Sequence, residues 1–297
     1  MKFLQKLFER GPRIEKVDIS KRFDLIGRVG QGSMSKVWRA TDRITGRMVA
    51  VKVLDRAKTI RFQRRFVGLN KPTEGEVAVT LRHHHIVRTL EHGVTIKDEQ
   101  YLVMEFVEGR GLGYFVDVQN ETMRENRLSF AIQLGDALTY LHSQNWIHRD
   151  ICPRNVIVDN ELNIKLIDFG LVVPNTEPFR APGNRTGTTD YMAPELIMRQ
   201  PTDPRIDVFS YAVSCYEMFA KVLPWPASDT FESALQHVNN PPKPLKVYVP
   251  DIDREVSEII MKGLERFPDN RWQTAGEMVA ALRQAVRRVE LSDAGQE

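Results

Sequence analysis

The sequence predicts an α+β fold, β-rich at first and helical afterwards, and three observations carry the expectation. Strand-like patterns gather early, over residues 23–40, 48–54 and 101–109, where β-branched and aromatic residues alternate or run together. Apolar residues at three- and four-residue spacing dominate later, over 128–143, 207–219, 255–266 and 274–289. Between these regions, residues 147–170 hold two short β-branched runs, 156–158 and 164–167, flanked by polar clusters and parted by a turn at Asp159-Asn160.

With 297 residues, 42% apolar and 27% charged, the chain can form one large domain or two modest lobes, each with its own core. Its 42 Lys+Arg and 39 Asp+Glu leave a formal charge of +3, read as too small and too evenly spread to indicate a nucleic-acid partner. Two cysteines, Cys152 and Cys215, cannot make a disulfide framework and lack metal-finger spacing, so a reducing cytosol is expected. The chain has no run of about eighteen apolar residues and no apolar N-terminal stretch, so neither a membrane-spanning helix nor a signal peptide is expected.

Residues 1–10 place Phe3, Leu4, Leu7 and Phe8 on one helical face, opposite Lys2, Gln5, Lys6, Glu9 and Arg10, until Gly11-Pro12 stops the pattern. This extension, within residues 1–22, is expected to dock on its own domain, with membrane or partner contact as the less favoured alternative. Strand patterns at 23–29 and 36–40 are joined by Gly30-Gln31-Gly32-Ser33-Met34-Ser35. Backbone N–H groups of such a glycine-bearing turn can approach phosphate oxygens with no Cβ in the way. In the strand at 48–54, period-two alternation puts Ala50 and Lys52 on one face. Consecutive side chains of His83-His84-His85 point in different directions, which argues against a metal site.

A hairpin as short as 156–167 brings its two ends together, so Asp150, Asn155 and Asp168 should converge on one small volume. Two carboxylates and an amide oxygen at one rim are hard ligands that suit Mg²⁺. The helical pattern at 128–143 leads straight into this loop. After Gly170 comes a segment rich in Pro, Asn, Thr and Gly, ending in Gly187-Thr188-Thr189-Asp190-Tyr191-Met192-Ala193-Pro194-Glu195.

The order His148-Arg149-Asp150, four residues, Asn155, then Asp168-Phe169-Gly170 resembles the catalytic and metal-binding loops of protein kinases. The glycine-bearing turn, the Lys52 strand, the apolar strand at 101–107 and the 187–195 segment recur in that family's order, so the resemblance covers about residues 23 to 288. It implies a bilobal, bacterial-type Ser/Thr protein kinase that uses ATP and Mg²⁺ and acts on protein hydroxyls. A small β-rich lobe over 23–108, a larger helical lobe over 109–289 and a polar tail at 290–297 would follow.

The resemblance also implies roles. Asp150 would orient the substrate hydroxyl, and Asn155 and Asp168 would hold the metal. Lys52 would contact phosphates and pair with a helical glutamate. Counting back from Leu81, His83, Ile86 and Val87 selects Glu74, with Glu76 as second candidate and Gly75 weakening the helix by about 1 kcal/mol. Val29, Gly30, Gln31, Gly32, Ser33, Met34, Ser35 and Lys36 would surround the nucleotide. Val37 and Ala50 would roof the adenine, Met104 would gate the back pocket, Glu105 and Val107 would offer backbone groups, and Ile157 completes the ATP set. Thr188 would bridge toward Asp150. Asp207 would accept N–H groups of the catalytic loop, and Arg271 would pair with Glu195. Arg149 would receive a phosphate on Thr186, with Thr176 and Thr189 behind it.

Three positions depart from the family pattern. Ser35 stands where a third glycine is usual, and Gly111 where many relatives place a ribose-contacting acid. Cys152 replaces the lysine that reaches the γ-phosphate, and Arg154 is the candidate substitute. The competing reading is a catalytically weak, nucleotide-binding regulator.

Overall fold

The structure, a computed structural model, describes residues 16–31, 34–183, 185–226 and 235–294. The amphipathic pattern at 1–10, Gly32 and Ser33 lie outside the described residues, as does the end of the polar tail. The chain forms two compact units. The first runs to Val67 and includes 75–80 and 88–106; the second takes 68–74, 81–87 and everything from Val107. The division therefore falls at Phe106/Val107 rather than after 108, and two segments of the expected first lobe group with the second unit.

The first unit opens with α1 (Ile19–Arg22), capped by Asp18, whose carboxylate accepts the Ser20 N–H. An antiparallel sheet follows, made of β1 (Phe23–Gln31), β2 (Ser35–Asp42), β3 (Met48–Leu54), β4 (Thr89–Val94) and β5 (Gln100–Glu105), in the order β1-β2-β3-β5-β4. Alternation gives it two different faces. Phe23, Ala40, Val49, Val51, Tyr101 and Val103 form a buried cluster, each of the larger side chains contributing about 1.5–3 kcal/mol. The other face sets Val37 opposite Lys52, Lys52 opposite Leu102 and Ala50 opposite Met104. Arg22 clamps Glu91 with two bonds of 2.6 and 2.8 Å, and the Tyr101 hydroxyl donates to the same carboxylate at 2.6 Å.

An element that the sequence analysis did not anticipate follows β3. It is α2 (Arg56–Gln63), capped by Asp55 and continued by a 3₁₀ turn at Arg64–Phe66. Helix α3 (Glu74–Ala78) is only five residues long. Gly75, read from sequence as a weakness, is sterically required, because a Cβ there would lie 2.5 Å from the Cβ of His92 on β4.

The second unit contains a small sheet, β6 (Gly109–Gly111), β8 (Val156–Asp159) and β9 (Ile164–Leu166), and the pair β7 (Trp146–Ile147) and β10 (Val173–Pro174). Helices α4 (Leu112–Val118) and α5 (Glu121–Ser143) come first in this unit, α6 (Glu177–Arg180) and α7 (Pro194–Ile197) lie in the segment after β10, and α8 (Arg205–Ala220) is almost wholly buried. Then come α9 (Gln236–Asn239), α10 (Arg254–Gly263) and α11 (Ala275–Ala294). α5 starts seven residues before the expected 128 because the Asn120 side chain caps it, accepting the Met123 N–H at 3.0 Å. Gly135 lets α5 meet its neighbours: a Cβ there would come within 2.2 Å of Val279 and 2.6 Å of the Tyr211 hydroxyl. Among the described residues, no helix is long and apolar enough to cross a membrane.

Candidate active site

Hairpin β8–β9 and buried helix α8 fix the catalytic-loop segment from two sides. Asp207 on α8 accepts the His148 N–H at 2.6 Å and the Arg149 N–H at 2.7 Å, with His142 Nε2 3.0 Å from the same carboxylate. Burial disfavours the Asp207 charge, but His142, His148 and these bonds outweigh it and hold the carboxyl below its usual range. The clamp holds Arg149 at φ +70°, a left-handed conformation costing a non-glycine residue about 1–2 kcal/mol.

Beyond this bend, both Asp150 carboxylate oxygens are engaged. Oδ1 accepts the N–H and the hydroxyl of Thr188, each at 2.8 Å, and Oδ2 accepts Asn155 Nδ2 at 2.8 Å. Asn155 Nδ2 also donates to the Asp150 carbonyl at 2.8 Å, which leaves the amide oxygen for a cation. Gly187 makes the Thr188 contact attainable: it has φ +132°, and a Cβ would strike the Arg149 carbonyl at 2.5 Å. The sequence analysis had not singled out this glycine, although its place beside Thr188 was the available signal.

Asp168 Oδ1 accepts the Gly170 N–H at 2.9 Å, and Phe169 is buried edge-on against His148 at 5.7 Å. A Cβ on Gly170 would lie 3.3 Å from Asp168 Oδ1 and 3.4 Å from Glu74 Oε2, so the Glu74 carboxylate lies against this segment. Glu74 is 6% exposed, whereas Glu76 is exposed. The donor set fits Mg²⁺, because Asp168 and Asn155 offer hard oxygens. Mg²⁺ commonly takes one or two carboxylates plus water and phosphate. In the run His83-His84-His85, His83 stacks on Tyr140 at 5.0 Å and His85 Nδ1 lies 3.3 Å from the Ile164 carbonyl.

In the first unit, Lys52 is buried on β3 between Val37 and Leu102, on the face shared with Ala50 and Met104. Ser35 opens β2 without a left-handed conformation, so the missing third glycine imposes no strain there. The Glu105 N–H donates to the Arg88 carbonyl at 2.9 Å, so any base contact from Glu105 falls to its carbonyl oxygen. Val107 and Ile157 belong to the second unit and are half-buried.

Arg149 is buried, donates from NH2 to the Phe179 carbonyl at 2.8 Å, and keeps Nε and NH1 without a hydrogen-bond partner. Burial lowers its pKa, opposed by Asp207. Lys71, a residue not anticipated from sequence, lies nearby: burial pushes it down to about 8, Glu74 opposes and Arg149 reinforces. Thr186 is 6% exposed and its hydroxyl also lacks a partner. Thr176 is exposed and Thr189 half-buried.

Cys152 is 1% exposed, and burial pushes its thiol up to about 12. Arg154 is exposed and faces Tyr191 and Glu217, whose hydroxyl and carboxylate are hydrogen-bonded to each other. Burial raises the Glu217 carboxyl, with Tyr191 and Arg154 opposing. Glu217 is thus a carboxylate within electrostatic reach of Arg154 that no sequence motif marks. Glu195 and Arg271 make two parallel bonds of 2.7 Å, and Arg271 donates further to the carbonyls of Glu265, Arg205 and Arg266.

Comparison with known proteins places these features in context. A family described as the protein kinase domain matches residues 23–282. A probable serine/threonine-protein kinase of Corynebacterium efficiens is 32% identical over 276 residues, covering 89% of this chain and 41% of that protein. A probable serine/threonine-protein kinase of Clostridium perfringens is 33% identical over 267 residues, covering 89% and 38%. Serine/threonine-protein kinase PknA of Mycobacterium tuberculosis is 30% identical over 282 residues, covering 92% and 63%. The chain spans about two fifths of the length of the first two.

Proposed function

Because the chain belongs to the protein kinase domain family, we propose that it transfers the γ-phosphoryl group of ATP to Ser or Thr hydroxyls of protein substrates. One observation carries this reading: Asp150 is fixed through both carboxylate oxygens by Asn155 and Thr188, beside Asp168 and over a loop clamped by Asp207. Such positioning is most of what phosphoryl transfer asks of a protein.

In the second unit, Asp150 receives the hydroxyl proton and aims the attacking oxygen, while Thr188 keeps the carboxylate oriented. Asn155 and Asp168 would hold Mg²⁺, which when bound offsets the charge on the phosphate oxygens. In the first unit, Lys52 and the residues 29–36 would hold phosphates, with Val37, Ala50 and Met104 against the base. Arg154 is proposed to supply the cation that Cys152 lacks, in competition with Glu217. Arg149 is proposed to receive a phosphate placed on Thr186; its two unused N–H directions and the cationic Lys71 support that role. Free, buried thiols at Cys152 and Cys215 support a cytoplasmic setting.

Incubating purified protein with Mg·ATP and comparing it with Asp150→Asn tests the reading. Phosphate incorporation should fall by about 10²–10⁴-fold while nucleotide binding persists. No incorporation by either protein would favour the regulator reading, and equal incorporation by both would remove Asp150 from the chemistry.

A further inference from the structure

The total charge conceals an uneven distribution. Residues 1–71 hold 19 Lys+Arg and 6 Asp+Glu, whereas residues 72–297 hold 23 and 33, so the even spread read from the totals does not hold. The basic residues are densest in α2 and the 3₁₀ turn that continues it. Between Arg56 and Thr73 there is no acidic residue, and Arg56, Lys58, Arg61, Arg64 and Arg65 are all exposed. The other face is turned away from solvent: Thr59, Phe62 and Gln63 are half-buried and Phe66 is buried, with the two phenyl rings edge-on at 5.3 Å.

Helix stability does not account for this arrangement. Arg56 and Lys58 occupy the first turn of α2, where the helix dipole favours acids, and the only acid at that end is the cap Asp55. Within the cationic face, Ile60 is 42% exposed, and Val67 just beyond the turn is 80% exposed.

We propose that this face adsorbs to anionic lipid headgroups at a membrane surface. A membrane accounts for both halves of its chemistry. Guanidinium and ammonium groups meet lipid phosphates and carboxylates, while the apolar stems of the arginines, Ile60 and Val67 reach the headgroup–acyl boundary. An acidic protein segment or a nucleic acid would answer the cations but offer Ile60 and Val67 nothing. Contact is peripheral and salt-sensitive, each Lys or Arg near an anionic leaflet strengthening partition about five-fold. The inference is independent of the transfer reaction, because its readout is binding.

The test is co-sedimentation of the full chain with phosphatidylcholine vesicles containing about 30 mol % phosphatidylserine, against pure phosphatidylcholine, at low and high salt. The full chain should pellet with the anionic vesicles at low salt only. The R56Q/K58Q/R61Q/R64Q/R65Q variant should lose more than about 100-fold of its partition, and Ile60→Ser with Val67→Ser should weaken it at unchanged salt dependence. Thermal melts show whether these variants fold; if the five-site variant does not, R61E/R64E replaces it and should abolish pelleting. Deletion of residues 1–10 should leave pelleting intact. Pelleting unaffected by the charge variants, pelleting lost only in the deletion, or binding to polyglutamate without binding to the anionic vesicles would each overturn the proposal.

Discussion

Asp207 accepts the Arg149 N–H at 2.7 Å while Arg149 holds φ +70°, so a buried carboxylate on α8 stabilises a backbone bend that the loop could not keep alone. Asp207→Ala leaves two buried N–H groups unpaired, each costing about 1–3 kcal/mol. Chemical denaturation should show a loss of about 2–6 kcal/mol, with phosphate transfer abolished in whatever remains folded. A variant with wild-type stability and activity would show that the bend is held by other means.

Arg271 is 2% exposed and Glu195 4%. Replacing either one strands the other's charge in the interior. Arg271→Met and Glu195→Met should each cost about 3–5 kcal/mol, and the double Met variant should recover much of the loss because no buried charge is left. A double-mutant cycle in urea checks this, and strictly additive losses would contradict it.

His237 stacks on Trp225 at 4.6 Å, and its Nδ1 lies 3.2 Å from the Met192 carbonyl. Burial lowers its pKa from 6.5, with Met192 and Asp190 opposing. As pH falls below 6.5 the unfolded chain binds a proton that the folded form resists, so stability declines on acidification, by at most about 1.4 kcal/mol per pH unit for this group. His83 and His85 shift the same way and share the window. His237→Gln should flatten the slope of stability below about pH 6.5. An unchanged slope would assign the effect to the other histidines that burial shifts down, His83, His85 and His148.

If Arg154 delivers the charge missing at Cys152, Arg154→Ala should lower kcat far more than ATP affinity, and Cys152→Lys should restore part of the loss in that background. Glu217→Gln should then raise kcat, by releasing Arg154 from the Tyr191 side. Near-normal kcat in Arg154→Ala would end the compensation idea.

Phosphopeptide mapping after incubation with Mg·ATP should find phosphate on Thr186. Its hydroxyl is buried, so modification requires the segment to open first, and a lag in autophosphorylation is expected. Thr186→Ala with full activity would remove the site from regulation.

How much of this was readable from sequence depended on whether a residue's partner was marked in the motif itself. The spacing within the 147–170 stretch marked Asp150, Asn155 and Asp168, while the resemblance marked Asp207 and the Glu195–Arg271 pair, whose bonds are described above. Gly75 was misread because its constraint is His92, which belongs to a different strand and lies in no motif. The influence of Glu217 on Arg154 was not readable, because nothing local in the sequence marks the two as neighbours. Helix α2 went unnoticed because its outward face is cationic with Ile60 among the charges, so it shows no clean apolar stripe. The early start of α5 rests on one cap residue, Asn120, ahead of the periodic stretch.

The two thiols also have a practical consequence. Cys152 and Cys215 are both shielded and held protonated by burial, near 12 for Cys152, so alkylating reagents react only with molecules that have opened. The chain thus carries its own label for counting excursions from the native state. Quenched iodoacetamide time courses would report the opening frequency of the loop around Cys152 and of helix α8 separately, without adding a probe.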